Sequence, residues 1–167
     1  MSSRFINYQQ LCAYLENQFS CGLHSIHGPN HWRRVEQNGL YLARLTDADE
    51  DVVTLFAMFH DSRRLAEGDD PDHGRRGAEM AESCRGKDFE MEDAAFELLH
   101  YACCWHTHED FSGDNTIGTC WDADRLDLVR VGITPDPDYM STEPGKQIAY
   151  AGGIEEYLQT AEDNEDC

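Results

Sequence analysis

Apolar residues recur at helical spacing along most of the chain. Near the start they lie three or four positions apart, at Phe5, Tyr8, Leu11, Cys12, Leu15 and Phe19. That spacing predicts an amphipathic first helix, which Cys21-Gly22-Leu23 then ends. The segment 52–59 is almost continuously apolar and predicts a buried helix that ends near His60 and Asp61. Strand-like alternation of β-branched residues is nearly absent, so the pattern favours an all-α fold.

Polar and conformationally special residues mark the ends of the other predicted helices. Pro29 suits the first turn of a second helix, which we expect to run to about Leu45. Either Asp47 or Asp49 can cap the third helix, and Asp72 can cap the fourth. Later helices are predicted from His73 to about Cys84, from about Glu90 to His106, and from Ile117 to Arg130, helical at least from Asp122 onwards.

The length of the chain and its C-terminal composition bound the domain organisation. At 167 residues it is long enough for one domain with a substantial core and too short for two of ordinary size. We expect a single domain over 1–167, with its core at about 5–150. Three prolines interrupt any long element after Gly132, and 161–167 have the composition of a frayed acidic tail.

The formal charge is −20, with only two lysines among thirteen basic residues. This charge disfavours a nucleic acid polymer as partner, because binding to a phosphate backbone needs a cationic surface. A small anionic substrate stays compatible with it if arginine is concentrated locally. No run reaches the ~20 apolar residues of a transmembrane helix, and the first residues lack the apolar stretch of a secretory signal. We therefore expect a cytoplasmic protein with no membrane partner, and homo-oligomer formation is left open.

Four residues that are far apart in sequence have side chains of metal-binding types: His31, His60, Asp61 and Asp124. Imidazole nitrogen and carboxylate oxygen together suit Mn, Fe, Co, Ni and Zn. An ionised aspartate at the end of an apolar helix is costly to bury without a partner, which a metal ion would supply. Carried by three helices, these side chains can meet inside a bundle and leave coordination positions open, as in catalytic sites.

The sequence around these residues resembles the HD-domain metal-dependent phosphohydrolase superfamily, whose pattern is His, then His-Asp, then Asp. The similarity lies in His27-x-x-x-His31-x-x-Arg34-Val35, in His60-Asp61 and in Asp122-Ala123-Asp124-Arg125-Leu126-Asp127. It extends from about His27 to Ile133. The resemblance implies a single-domain helical bundle that holds one or two divalent transition-metal ions. It also implies hydrolysis of a nucleotide or small phosphate ester through a metal-activated water.

The three aspartates of the last motif have different expected roles. The Ala-Asp-Arg-Leu core also resembles the guanosine tetraphosphate hydrolases of this superfamily, in which the Asp before Arg binds the metal. That resemblance implies Asp124 as the ligand. Asp127 lies three residues further along the helix, near enough to orient a ligand or a water. Asp122 is interpreted as a helix N-cap.

Further histidines raise the question of a second metal ion. Diadenosine polyphosphate hydrolases and cyclic-dinucleotide phosphodiesterases of the superfamily add two histidines, and the shared Asp bridges both ions. His73 and His106 resemble those two positions, and His108 is a weaker candidate. Their alternative roles are a catalytic acid or a contact to substrate phosphate. His73 follows Asp61 by twelve residues, which is closer than we would expect in those branches.

Arginine follows the His-Asp pair directly. Arg63 and Arg64 are candidate phosphate ligands at the rim of the metal pocket, because a guanidinium matches phosphate oxygens bidentately. Salt bridges to the acidic surface are the equally weighted alternative. His27 is expected at the mouth of the pocket, and the tryptophans beside the ligand segments are expected in the core: Trp32, Trp105 and Trp121.

The sequence is compatible with three candidate functions. Hydrolysis of a phosphate ester or anhydride ranks first. A di-iron oxygenase, which a minority of the superfamily represents, ranks below it and requires His73 and His106 as ligands. A non-catalytic, metal-dependent module that binds a small anion is the third, and failure to turn over any phosphate ester would distinguish it.

Overall fold

The computed structural model describes residues 7–165, and the regular elements within that range are helical. Its α-helices are α1 (Tyr8–Gln18), α2 (Pro29–Thr46), α3 (Glu50–Phe59), α4 (His73–Cys84), α5 (Asp93–Trp105), α6 (Asn115–Leu126), α7 (Glu143–Tyr150) and α8 (Glu155–Glu165). Two short 3-10 helices lie between α6 and α7, at Asp127–Val131 and Pro137–Tyr139. The prediction of an all-α fold is confirmed.

Helix α3 lies at the centre of the bundle, because every residue from Val52 to Phe59 is buried. It packs against α2, α4, α5 and α6, and α2 also packs against α6. Full burial of a large apolar side chain such as Leu55 or Phe56 stabilises the fold by about 1.5–3 kcal/mol. The end of α3 therefore brings His60 and Asp61 into the interior, where the neighbouring helices can reach them.

Side-chain caps fix the starts of two of the helices around this centre. The Asp49 carboxylate accepts hydrogen bonds from the backbone N–H groups two and three residues ahead, at 3.0 and 3.3 Å, and so caps α3. Asp47, the alternative cap, instead ends α2 in the left-handed region with a φ of 55°. Asp114 caps α6 in the same way as Asp49, with both N–H groups at 2.9 Å.

Helix α4 lies against the ends of two other helices, and glycine makes this approach possible. A Cβ on Gly77 would overlap the backbone carbonyl of Phe59, and one on Gly74 would overlap the carbonyl of Cys103. Since α4 begins at His73, the close approach brings that histidine to the end of α3.

The interpretation of Asp122 as an N-cap is wrong. Helix α6 begins seven residues earlier, at Asn115, and Asp122 is fully buried within it. Its carboxylate accepts three hydrogen bonds of 2.7–2.8 Å, from the backbone N–H groups of Ser141 and Thr142 and from the Thr142 hydroxyl. Asp122 therefore joins α6 to the start of α7.

Other expectations need smaller corrections. Helix α5 starts at Asp93 instead of about Glu90, and the end of the predicted sixth helix is a 3-10 turn from Asp127. Residues 161–165 of the predicted tail are helical, while 166–167 and Phe5 lie outside the described residues. Trp32 and Trp121 are buried as expected, but Trp105 is 43% exposed. Over residues 7–165, no helix has the length and apolarity needed to cross a membrane.

Candidate metal centre

Five consecutive helices, or the residues that flank their ends, bring six His and Asp side chains together. His31 lies in the first turn of α2, His60 and Asp61 follow α3, His73 opens α4, His106 follows α5, and Asp124 lies in the last turn of α6. All are buried except Asp124, whose side chain is 20% exposed. They form two groups that could hold a metal ion. The structure thus brings together the four ligands expected from sequence and the two additional histidines.

The first cluster contains His31, His60, Asp124 and one oxygen of Asp61. The Nε2 atom of His31 lies 3.1 Å from Asp124 Oδ1 and 3.1 Å from the Nε2 atom of His60. Asp61 Oδ2 lies 3.5 Å from the first of these nitrogens and 3.6 Å from the second. Four potential donor atoms from three helices therefore face one point.

The second cluster contains His73, His106 and the other oxygen of Asp61. The two Nε2 atoms are 3.0 Å apart. Asp61 Oδ1 lies 3.1 Å from His73 Nε2 and 3.7 Å from His106 Nε2. Asp61 therefore directs one carboxylate oxygen into each cluster, which is the geometry of a bridging carboxylate.

Hydrogen bonds on the outer side of each imidazole fix which nitrogen faces inward. The four Nδ1 atoms lie 2.5–3.1 Å from oxygen acceptors, which are backbone carbonyls for His60, His73 and His106 and the Asp127 carboxylate for His31. The proton of each neutral imidazole is therefore on Nδ1, and the Nε2 lone pair points into the cluster. Lone pairs of two such atoms repel each other at 3.0–3.1 Å unless a cation or a proton lies between them.

The distances between donor atoms match the edges of a metal coordination polyhedron. With metal–ligand bonds of about 2.1 Å, adjacent donors lie about 3.0 Å apart in an octahedron and about 3.4 Å apart in a tetrahedron. The corresponding distances in the two clusters are 3.0–3.7 Å. The donor set and its spacing therefore fit divalent metal ions.

The electrostatics of the two carboxylates favour cation binding as well. Burial by itself raises the pKa of Asp61. Without a metal ion, the surrounding imidazoles hold that pKa well below its ordinary value when they are protonated, through the charge of His60 and through hydrogen bonds from three other histidines. Two histidines of the first cluster hold the pKa of Asp124 low against the same effect of burial. Both carboxylates are thus ionised at neutral pH, which is the form that binds metal.

Asp127 lies behind the first cluster, where it contacts a candidate ligand instead of the cluster's interior. Its Oδ2 atom is 2.6 Å from His31 Nδ1, and its Oδ1 atom accepts a hydrogen bond of 2.7 Å from Arg34 Nε. Its side chain is 3% exposed. From this position a carboxylate can orient a metal-binding histidine and increase its basicity, which stays the predicted role of Asp127.

Arg64 does not occupy the exposed rim position that the sequence suggested. It is buried, and its Nε atom donates to Asp61 Oδ1 at 3.2 Å. Its Nη1 atom donates to the backbone carbonyls of Ala66 and Gly68 at 3.3 and 3.1 Å. The guanidinium therefore positions Asp61 and the following loop. Arg63 is partly exposed, and its contact with phosphate stays a prediction.

Two further histidines differ in their relation to the clusters. His108 is exposed and contacts the hydroxyl of Thr107 at 3.3 Å, outside both groups of candidate ligands. His27 lies at the edge of the centre, 14% exposed, with its Nδ1 atom 3.0 Å from Asp61 Oδ2. Sequence reasoning placed His27 at the pocket mouth but missed this contact. Its spacing of four residues from His31 was the available signal.

A cavity of about 590 Å³ gives access to both clusters, because His106 and Asp124 form part of its wall. Two segments, 106–110 and 133–140, form most of the remaining wall. Arg125 joins these segments. Its guanidinium donates to the carbonyls of Glu109 and Tyr139, each at 2.7 Å, and to that of Asp110.

Comparisons with family models, with curated proteins and with solved structures found no match to this chain.

Proposed function

We propose that this chain is a divalent-metal phosphohydrolase with a binuclear centre of the HD type. The observation that carries the proposal is the orientation of the four imidazoles, whose Nε2 lone pairs converge in pairs on the two oxygens of Asp61. Such an electron-rich arrangement needs positive charge at its centre, which divalent metal ions or protons supply. The motif resemblance described above supports hydrolysis of a phosphate ester or anhydride as the reaction.

Six side chains would hold the two ions. His31, His60 and Asp124 would bind the first, His73 and His106 the second, and Asp61 would contribute one oxygen to each. Four imidazoles and two carboxylates suit Mn, Fe, Co, Ni or Zn. Arg64 and His27 each hydrogen bond to one Asp61 oxygen and so fix the plane of the bridging carboxylate.

Divalent ions bound there would lower the pKa of a coordinated water and polarise a phosphoryl oxygen. The cavity of about 590 Å³ has the size of a small-molecule site and adjoins both clusters. A small phosphate ester seated in it places its phosphoryl group beside His106 and Asp124. Its remainder then meets the 106–110 and 133–140 segments.

Metal content and phosphate release test the proposal together. We expect two metal equivalents per chain in anaerobically purified protein by elemental analysis, and one in the His73→Ala/His106→Ala variant. A His100→Ala/His108→Ala variant, which alters two histidines outside both clusters, should keep two. Asp61→Ala should lose metal and the release of inorganic phosphate from small phosphate esters. A fully metallated and active Asp61→Ala protein would contradict the assignment.

A di-iron oxygenase is the second candidate function. The second cluster favours it, because that chemistry needs His73 and His106 as ligands. Uptake of dioxygen by the iron-loaded protein, without phosphate release from any ester, would favour it. Two bound metal ions with neither dioxygen uptake nor phosphate release would instead favour a non-catalytic module that binds small anions.

A further inference from the structure

The wall of the cavity beside the clusters contains candidate metal ligands and a group of acidic residues. His106 and Asp124 belong to the candidate metal centre. Glu109, Asp110 and Asp136 line the same cavity and lie outside both clusters. These five residues line one space of about 590 Å³, so a single small molecule bound there can contact both groups.

Arg125 is the one arginine or lysine among the described residues that line this cavity, and its guanidinium already binds backbone carbonyls. Both of its terminal nitrogens donate to backbone carbonyls: Nη1 to those of Asp110 and Tyr139, and Nη2 to those of His106 and Glu109. Because these four carbonyls belong to two segments of the wall, the guanidinium joins the segments to each other. It has no free pair of terminal N–H groups for a second anionic group.

Once metal is bound, the wall of the cavity would combine groups of opposite charge. Two divalent ions would carry four positive charges against the two carboxylates of Asp61 and Asp124, which would leave the metal centre cationic. Elsewhere in the wall, Glu109 accepts a hydrogen bond of 2.6 Å from the Tyr101 hydroxyl, whereas Asp110 and Asp136 are exposed to solvent. A molecule with an anionic head and a cationic tail complements both groups, whereas a second phosphate or carboxylate would meet like charge.

We propose that the substrate is a small phosphomonoester with an ammonium group in its remainder, and that Asp110 and Asp136 determine this specificity. The inference rests on the proposed function, because it assumes that the phosphoryl group binds at the metal centre. The proposed specificity favours one kind of phosphate ester and disfavours nucleoside polyphosphates, because the cavity wall offers no free basic side chain to their additional phosphates.

Three probes of equal chain length isolate the charge of the tail. O-phosphoethanolamine, ethyl phosphate and 2-phosphoglycolate share a phosphate on a two-carbon unit and carry a positive, a neutral and a negative end. Because the metal-loaded protein is expected to hydrolyse these esters, the dissociation constant of each is measured at low ionic strength as its inhibition constant against a chromogenic phosphomonoester. We expect the order phosphoethanolamine, ethyl phosphate, phosphoglycolate from tightest to weakest. The extremes should differ by about tenfold, because each exposed charge pair contributes modestly.

Two double variants test whether acidic residues of the cavity wall cause the difference in affinity among the three probes. Asp110→Asn/Asp136→Asn should bring the three dissociation constants to within about twofold of one another, with that for ethyl phosphate nearly unchanged. Asp69→Asn/Asp138→Asn is the matched control. It removes the same charge from two exposed residues that do not line the cavity, and it should keep the order.

The outcomes separate this inference from the proposed function. Equal binding of the three probes, or tightest binding of phosphoglycolate, overturns the ammonium specificity and leaves phosphate hydrolysis standing. Selectivity that persists in Asp110→Asn/Asp136→Asn overturns the assignment to these two residues. No binding of any probe to fully metallated protein overturns both the proposed function and this inference.

Discussion

His31 Nδ1 and Asp127 Oδ2 lie 2.6 Å apart in the interior of the bundle, although 96 residues separate them in sequence. The contact links the first turn of α2 to the 3-10 turn that follows α6. It fixes the tautomer of His31 and holds the ring with Nε2 toward Asp124 and His60. The geometry of the first cluster therefore depends on a residue that does not itself face the candidate metal position.

Asp127→Asn tests that dependence. The amide keeps the size of the carboxylate but loses its charge, so His31 becomes a weaker and less well oriented ligand. We expect the affinity of one of the two metal sites to fall about 10- to 100-fold. Competition with a chromophoric chelator measures it. Affinities equal to those of the wild type at both sites would show that Asp127 serves only the fold.

Asp122→Asn should destabilise the protein without removing metal. The Asp122 carboxylate accepts three hydrogen bonds that join α6 to α7, and an amide can replace only part of them. We expect a loss of about 2–4 kcal/mol in the free energy of unfolding, measured with urea. Asp138→Asn, on the exposed 3-10 turn, should change it by less than about 0.5 kcal/mol. Loss of metal in the Asp122 variant would transfer the ligand role from Asp124 to Asp122.

Gly77→Ala should affect the second cluster selectively. The added methyl group would overlap the carbonyl of Phe59 and push α4, with His73, away from Asp61. Overpacking of this kind costs about 1–3 kcal/mol, equivalent to about 5- to 150-fold in affinity if the second site bears all of it. Elemental analysis after dialysis should then show one ion in place of two. Gly113→Ala, where a Cβ meets nothing within 4 Å, should keep both.

The cysteines should be poorly reactive in the native protein. Burial, together with the nearby Glu16 carboxylate, raises the pKa of the Cys12 thiol to about 11, and burial raises that of Cys84 to about 11. A higher pKa leaves less of the nucleophilic thiolate at pH 8. In a Cys167→Ser background, iodoacetamide should modify native protein at least about 100-fold more slowly than urea-unfolded protein, as followed by mass spectrometry. Rapid native modification of fully buried Cys103 or Cys120 would contradict this packing.

Local signals in the sequence were sufficient for most of the fold. Pro29 begins α2 as expected, and Asp49 forms the cap that the sequence allowed. Asp72 directly precedes α4, but its side chain makes no capping hydrogen bond. The apolar segment before His60 gave the buried central helix. These features depend on residues within a few positions of one another, which is why the sequence alone predicts them.

The parts that could not be predicted depend on contacts distant in sequence. Nothing near Asp122 shows that Ser141 and Thr142 will donate to it. The inward turn of Arg64 depends on the path of the loop after Asp61, which folds back onto the guanidinium. The short spacing to His73 argued against a second metal. It nevertheless brings His73 Nε2 to 3.1 Å from Asp61, because His73 is the first residue of α4 and Gly77 lets that helix lie against the end of α3.

Asp61 is shared between two clusters whose other members come from different parts of the bundle, α2 and α6 on one side and α4 and α5 on the other. Ions bound on both sides would crosslink five of the helices through one carboxylate. Any ligand that binds only the folded chain raises its stability with the logarithm of the ligand's concentration over its dissociation constant. Metal binding at the centre and folding of the bundle would thus be linked equilibria. Metal supply would then set the steady-state lifetime of the protein in the cell as well as its activity.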